Sequence, residues 1–271
     1  MNTIYASIVL YNHTLAEIEP TLQCLLSSNT TKTIILVDNG GCEWAAHTGN
    51  SRIKYIKSPK NGGFGYGHNQ AIRQYAVESD FFLICNPDIY FNPNQLDQLL
   101  AEAENRPEGL FVPKIVYPDG SDQYGRRLLP SPLNLFARRF APAWANKLDQ
   151  KFMLLDYDIT RPSFIPFLSG SFMLFKSSAL LALGGFDERY FMYLEDIDLS
   201  RRCAEQFGNC YLPHIQITHA HQQASYKSKK LRNIHIQSAI RYFNKWGWLL
   251  DSGRIKLNKR CLESLNGQQK K

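Results

Sequence analysis

Phe81-Phe-Leu-Ile-Cys-Asn-Pro-Asp-Ile-Tyr-Phe-Asn-Pro-Asn-Gln95 holds a strand, a turn and a helix start in immediate succession. Phe81–Cys85 is an unbroken apolar run of strand length, which predicts a strand buried on both faces. Asn86-Pro87-Asp88 stops it, because proline presets a turn and the flanking polar side chains bond turn backbone. Asn92 then caps a helix that takes Pro93 at its tolerated first position. A buried strand, a polar loop and a helix form the repeating unit of a parallel α/β sheet.

The same unit recurs upstream. Ile4 to Leu10 predicts a first strand, followed by Tyr11-Asn12-His13 and the capping box Thr14-Leu-Ala-Glu17. Helical spacing then buries Ile18, Leu22, Leu25 and Leu26. Thr33 to Val37 predicts a second strand that stops at Asp38-Asn39-Gly40-Gly41, and Ile53 to Ile56 a third. Asn61-Gly-Gly-Phe-Gly-Tyr-Gly-His-Asn69 reads as a glycine loop, with a helix from about Gln70 to Val77.

Downstream, Leu110 to Tyr117 predicts a further strand, and 119–164 is irregular, proline-bearing and of the composition of a mobile flap, with Gly125-Arg126-Arg127 inside it. Order returns with a strand from Ser171 to Phe175 and a short helix ending at Gly184-Gly185. A helix runs from near Glu195 to Gly208, and a strand through Ile215 and Ile217 leads to His219. Beyond Tyr226 the chain predicts a helix with Ile236, Ile240, Phe243, Trp246 and Leu250 on one side. The expected fold is α/β, a mainly parallel mixed sheet with helices on both faces and a C-terminal helical tail.

Composition narrows the function. With 44% hydrophobic and 20% charged residues the chain has the make-up of a folded globular domain. No apolar run nears the roughly 18 residues of a membrane-spanning helix, and the N-terminal residues predict a strand where a secretory leader would be charged and then apolar. Six cysteines without a C-x-x-C pair predict reduced thiols, with neither a disulfide framework nor a zinc site. The net charge of +7 is uneven: residues 226–271 hold 12 Lys/Arg against 2 Asp/Glu, and the body before them is slightly acidic. Nucleic acid is therefore not an expected partner, whereas a basic, Trp-bearing helix suits an anionic membrane surface or simple packing on the domain.

Three predicted strands end in polar loops, at Asp38, at the glycine loop and at Asp88. In an open parallel sheet ligands bind beyond the carboxyl ends of the strands, so these loops are expected to converge on one site. Asp88 could bind a divalent cation through oxygen, or simply close an Asn-Pro-Asp turn. The glycine loop lacks the G-K-[ST] ending of a P-loop and the G-x-G-x-x-G of a dinucleotide turn, leaving close approach to a ligand or plain flexibility. Glu195-Asp196-Ile197-Asp198 sets three acids at a helix start, where they either complement the dipole or supply a general base. His219 and His221 share a strand face and are either incidental or metal-directed. A nucleotidyltransferase would need a basic phosphate-gripping loop, and 11–17 has no Lys or Arg.

Taken together, the order of these segments resembles family-2 glycosyltransferases of the GT-A (Rossmann-like) fold, and more narrowly bacterial rhamnosyltransferases of O-antigen and related surface polysaccharides. The matching residues are Ile8-Val-Leu-Tyr-Asn12, Val37-Asp38-Asn39, Asn61 to Asn69, Asn86-Pro-Asp-Ile89, Gly170-Ser-Phe-Met-Leu174, Gly184-Gly-Phe-Asp-Glu188, Phe191-Met-Tyr-Leu-Glu-Asp-Ile-Asp-Leu199 and His219. The resemblance implies a glycosyltransferase domain over 1–225, with a donor half to about 118 and an acceptor half from 119, followed by the tail at 226–271.

It also implies roles. Tyr11, Asn12, Asp38, Asn61, Gly62, Gly63, Phe64, Gly65, Asn69, Asn86 and Asp88 would bind a nucleotide-sugar donor. Asp88, the last acid of a D-x-D element whose first acid is here Asn86, would hold Mg²⁺ or Mn²⁺ with His219, His221 being the less favoured choice. Gly170 and Ser171 would border the sugar. Asp196 would be the base of an inverting displacement, with Glu195 as its alternate and Asp198 supporting the helix. The implied donor is dTDP-L-rhamnose and the implied acceptor a polyprenyl-diphosphate-linked glycan, handled peripherally at the cytoplasmic face of the bacterial inner membrane. Another nucleotide-sugar donor, or a non-catalytic membrane or glycan adaptor, are the alternatives.

Overall fold

The computed structural model describes residues 2–135, 150–220 and 229–269. Eight strands form one sheet: β1 (Ile4–Leu10), β2 (Thr31–Asp38), β3 (Ile53–Lys57), β4 (Phe81–Cys85), β5 (Ile89–Tyr90), β6 (Leu110–Val116), β9 (Phe172–Lys176) and β10 (Asn209–His219). Their spatial order is β3-β2-β1-β4-β9-β6-β10-β5. All neighbours are parallel except β9, which runs antiparallel between β4 and β6, and β5, antiparallel to β10. Strands from before and after residue 118 thus interleave in a single sheet. A two-stranded ribbon, β7 (Arg126–Arg127) with β8 (Phe167–Leu168), stands beside it.

Helices α1 (Leu15–Ser27), α2 (Phe64–Tyr75) and α3 (Pro93–Glu104) connect the first strands. Both expected capping boxes form, Thr14 with Glu17 and Asn92 with Gln95. On β1, Ser7 and Tyr5 meet α2 through His68 and Tyr75. By alternation Ile4, Ala6, Ile8 and Leu10 point the other way, and all four are fully buried, so the sheet is covered on both faces. Phe82, Ile84, Phe172 and Phe175 fill the centre of that core.

The glycine loop differs from expectation: α2 starts at Phe64, so residues 64–69 are helical. The glycines serve packing and not flexibility. A Cβ on Gly65 would lie 2.7 Å from Phe186 Cβ, and one on Gly67 2.8 Å from both methyl carbons of Val9. The turn itself is at Gly63, whose φ of +97° leads into the helix.

In the second half, α4 (Ser177–Ala182) ends at Gly184 and Gly185, and α5 (Glu195–Gln206) ends before Gly208, as expected. The tail differs. It forms two helices, α6 (Lys229–Trp246) and α7 (Ser252–Gln269), because Gly247 takes a φ of +102°. The buried side of α6 is Ser238, Ala239, Tyr242 and Phe243, while Ile240 and Leu250 face solvent. Small Ser238 and Ala239 permit close approach, and Ser238 Oγ donates to Met192 O at 2.8 Å. Tyr242 and Phe243 are fully buried in a cluster with Tyr190 and Leu194, each contributing about 1.5–3 kcal/mol. Cys261 and Leu265 of α7 join the main core. All six cysteines are free, and among the described residues no helix is long and apolar enough to cross a membrane.

Candidate active site

A cleft of about 690 Å³ opens along the carboxyl ends of β1, β2 and β4. Tyr11, Asn61, Gly63, Phe64, Asn86, Gly170, Ser171, Glu195, Asp196 and His219 all line it. Its placement follows from strand pairing. Cys85, the last residue of β4, pairs with Phe172, the first of β9, so Asn86 and Ser171 lie side by side and Asn86 N donates to Ser171 O at 2.8 Å.

At one end of this row are Asp88 and His219. Ile89 pairs with His219, and Ala220 N donates to Asp88 O, which sets the imidazole Nε2 3.1 Å from Asp88 Oδ1. Gln123 determines the tautomer. Its amide nitrogen donates to His219 O at 2.6 Å, so its Oε1 is what faces Nδ1 at 3.0 Å, and an amide oxygen only accepts. Nδ1 therefore carries a proton, and Nε2 faces Asp88 Oδ1 at 3.1 Å and the Asn86 amide nitrogen at 3.3 Å. A proton or a cation joins Nε2 to a carboxylate oxygen so placed. Asn86 Oδ1 nearby is buried without a protein partner. A carboxylate with an imidazole suits Mn²⁺ or Mg²⁺ completed by diphosphate oxygens and water. Among the described residues no group of three or more His, Cys, Asp or Glu could hold a metal alone. His221 lies outside the described residues.

At the other end, Gly170 N donates to Asp196 Oδ2 at 3.0 Å and Ile197 N to Oδ1 at 2.8 Å. Burial raises the Asp196 carboxyl above its ordinary range, opposed by these two bonds and by the Arg127 guanidinium. Burial, and then the Asp196 charge, lifts Glu195 well above its ordinary value, and Glu195 Oε2 has no protein partner. Asp198 is spent on structure, bonded to Arg202, Lys245 and the Trp246 indole. The backbone ahead of the acids is left-handed at both Tyr193 (φ +69°) and Leu194 (φ +64°), a conformation costing about 1–2 kcal/mol per residue. Such strain concentrates where side-chain placement matters.

The remaining expected donor residues divide. Asp38 is buried, accepting from Gly40 N, Cys42 N and the Tyr55 hydroxyl, and so shapes the loop between β2 and β3. Asn12 N donates to Gly40 O, bringing the two loops together. Asn39 lines the cleft and donates to Gly63 O at 2.9 Å, a contact the sequence reading did not single out. Gly62 packs on the Tyr66 ring and Gly65 on Phe186, both off the cleft. Asn69 also stands apart: its amide exchanges bonds with Phe186 N and O and with Glu188, clamping the 186–188 loop to α2. Arg127 and Gln123 enter the site from the segment expected to be a flap. Residues 117–129 are instead tied down by turn bonds and by β7, where alternation buries Arg126 against Asp122 and turns Arg127 to the cleft. Residues 136–149 of that segment lie outside the described residues.

The sequence model of Glycosyl transferase family 2 matches residues 6–184. An N-acetylglucosaminyl-diphospho-decaprenol L-rhamnosyltransferase of Mycobacterium tuberculosis (strain H37Rv) is 30% identical over 249 residues, covering 82% of this chain and 79% of that protein. Rhamnosyltransferase WbbL of Escherichia coli (strain K12) is 26% identical over 196 residues, covering 67% and 70%. Among solved structures, GalNAc-T7 with UDP, GalNAc and Mn²⁺ superposes with a TM-score of 0.62 at 14% identity. That match covers 90% of this chain and about half (48%) of the other, and carries the fold alone.

Proposed function

The chain belongs to glycosyl transferase family 2, and we propose that it moves L-rhamnose from dTDP-L-rhamnose to a polyprenyl-diphosphate-linked glycan, inverting the anomeric centre. The observation that carries this reading is the unbroken row from Asp88 and His219, through Asn86 and Ser171, to Gly170 and Asp196. In this reading Asp88 and His219 form the diphosphate-holding end of that row and Asp196 the general-base end. The two relatives named as rhamnosyltransferases support the sugar.

Asp38, Tyr11 and Asn12 shape the nucleoside end, with Asn61, Gly63 and Phe64 along the donor and Gly170 and Ser171 beside the sugar. Asp88 and His219 would hold Mg²⁺ or Mn²⁺, which when bound neutralises charge on the departing diphosphate. Asp196 takes the proton of the acceptor hydroxyl. The acceptor oxygen forms the new bond to the anomeric carbon as the bond to the diphosphate oxygen breaks, and dTDP leaves with that electron pair. Retained proton affinity suits Asp196 to this task. Glu195, more deeply buried, keeps a neighbouring carboxyl in the wall. The acceptor places the enzyme peripherally at the cytoplasmic face of the bacterial inner membrane, with the basic tail at the lipid surface.

A panel of nucleotide sugars with Mg²⁺ or Mn²⁺ and a lipid-linked glycan acceptor tests the reading. Selective turnover of dTDP-L-rhamnose is expected, and Asp196→Asn should lower kcat about 10²–10⁴-fold while donor affinity holds. Preference for another donor would displace the rhamnose assignment, and full turnover by the variant would displace the base. An Asp196→Asn chain that sustains the cellular role would point to an adaptor.

A further inference from the structure

The turn between α6 and α7 is held at both ends by one guanidinium. Before it, the Trp246 indole donates to Asp198 Oδ1 at 2.8 Å, and Arg201 lies 3.8 Å over its ring. After it, both Asp251 oxygens accept from Arg201, at 2.7 and 2.6 Å, with both partners almost fully buried. Between these anchors Gly247 makes a turn so tight that a Cβ would lie 2.7 Å from Leu250 O. Trp248 lies with its ring 5.2 Å from that of buried Phe243 and donates to Asn244 Oδ1 at 2.8 Å, while the two leucines after it turn outward. Leu249 is 83% exposed and Leu250 94%, with Trp248 and Ile255 exposed beside them. Single exposed apolar residues are ordinary, but a contiguous set on a fixed, projecting turn marks an interaction site.

The surroundings are cationic. Residues 229–269 hold nine Lys/Arg against Asp251 and Glu263; Asp251 pairs with Arg201, Lys245 with Asp187 and Asp198, and Lys259 with Glu263, which leaves seven of the nine basic residues outside these pairs. Lys256, Lys259 and Arg260 lie exposed on α7 behind the turn. Along α6 an exposed stripe through Asn233, Gln237, Ile240, Arg241 and Asn244 runs towards Trp248. The far end of that helix, about 27 Å away, brings Lys230, Leu231 and Ile234 to the cleft.

We propose that the Trp248-Leu249-Leu250 turn inserts into an anionic bilayer surface, with α6 lying in that plane so that the cleft opens at the same surface. The proposal rests on the lipid-linked acceptor reading and adds where and how the enzyme meets its membrane. A projecting turn suits a bilayer better than a protein pocket. Its leucines reach the acyl boundary, its indole sits at the headgroup level, and the flanking bases meet lipid charge.

The test is co-sedimentation of the full chain with mixed phosphatidylcholine–phosphatidylglycerol vesicles, alongside turnover of a water-soluble acceptor analogue. The variant L249D/L250D leaves both anchors intact. Vesicle affinity should fall by about 30-fold or more, with soluble-acceptor turnover and circular dichroism unchanged. In a separate arm, Trp248→Phe should remove most of the blue shift in emission on vesicle binding. Undiminished vesicle binding by the aspartate variant, equal binding to phosphatidylcholine alone, or no binding by the native chain overturns the proposal. Self-association abolished by the same substitutions without vesicle binding also overturns it, in favour of a second copy. Loss of soluble-acceptor turnover in the native chain would instead reject the glycosyltransferase reading, independently of the vesicle result.

Discussion

His219 contributes to the site only through the atoms around it. Gln123 keeps a proton on Nδ1 and leaves Nε2 facing Asp88. Gln123→Leu removes that constraint and should lower Mn²⁺ affinity about 10–100-fold, the usual effect of losing a partner that orients a ligand. Titration of free Mn²⁺ by electron paramagnetic resonance reads this without any turnover, and unchanged affinity would remove Gln123 from the site. Glu195 supports a second prediction at this scale. Burial raises its folded-state pKa, so between the ordinary value and the raised one the native chain binds a proton that the unfolded chain releases. Stability therefore falls as pH rises through that window. Glu195→Gln abolishes this effect, so thermal melts should show the variant gaining a few degrees over the native chain at about pH 8, and less at about pH 5.

Helix α2 shows how one element joins fold and site. Its first turn begins at Gly63, whose carbonyl accepts from Asn39, while Gly67 lets the helix lie against β1. Gly67→Ala would place Cβ 2.8 Å from both Val9 methyls, so rotating Val9 cannot clear it and the helix or strand must move. Overpacking costs about 1–3 kcal/mol and alanine regains at most about 1 kcal/mol of helix propensity. A net loss of about 1 kcal/mol is expected in urea unfolding, with weakened donor binding because Val9 lines the cleft. An unaltered midpoint would mean that the helix rides further from the sheet.

Across the whole molecule, α5 joins the tail to the site. The helix that starts with Glu195 and Asp196 carries Arg201, and Arg201 holds Asp251 at the start of α7. Asp251→Ala strands a buried guanidinium, an event costing about 3–5 kcal/mol, eased somewhat here by Glu205 at 3.1 Å from Arg201 Nε. Chemical denaturation should show a loss near the lower end of that range as one cooperative transition, since α6 and α7 share their apolar clusters with the body. A separate early transition confined to the tail would show that the tail folds independently of the body.

Much of this protein was legible in its residues because the signals are local. Apolar runs such as Phe81–Cys85, the capping boxes at Thr14 and Asn92, and the glycine stops after α4 and α5 depend on neighbours a few positions away. The acids and His219 could be singled out by type and by their place at strand ends. Other features depend on contacts distant in sequence. The glycines of α2 read as a loop until Phe186 and Val9 are seen pressed against them, and Asn69 reads as a ligand residue until Phe186 occupies its amide. Gln123 and Arg127 had only an irregular stretch around them, and nothing local ties that stretch to residues 219 or 196. The tail stripe failed for the same reason, since the buried side of α6 was decided by Met192, Tyr190 and Leu194. Local hydrogen bonding and side-chain period are encoded along the chain, but which faces meet is set by close packing in three dimensions, and only the folded molecule holds that information.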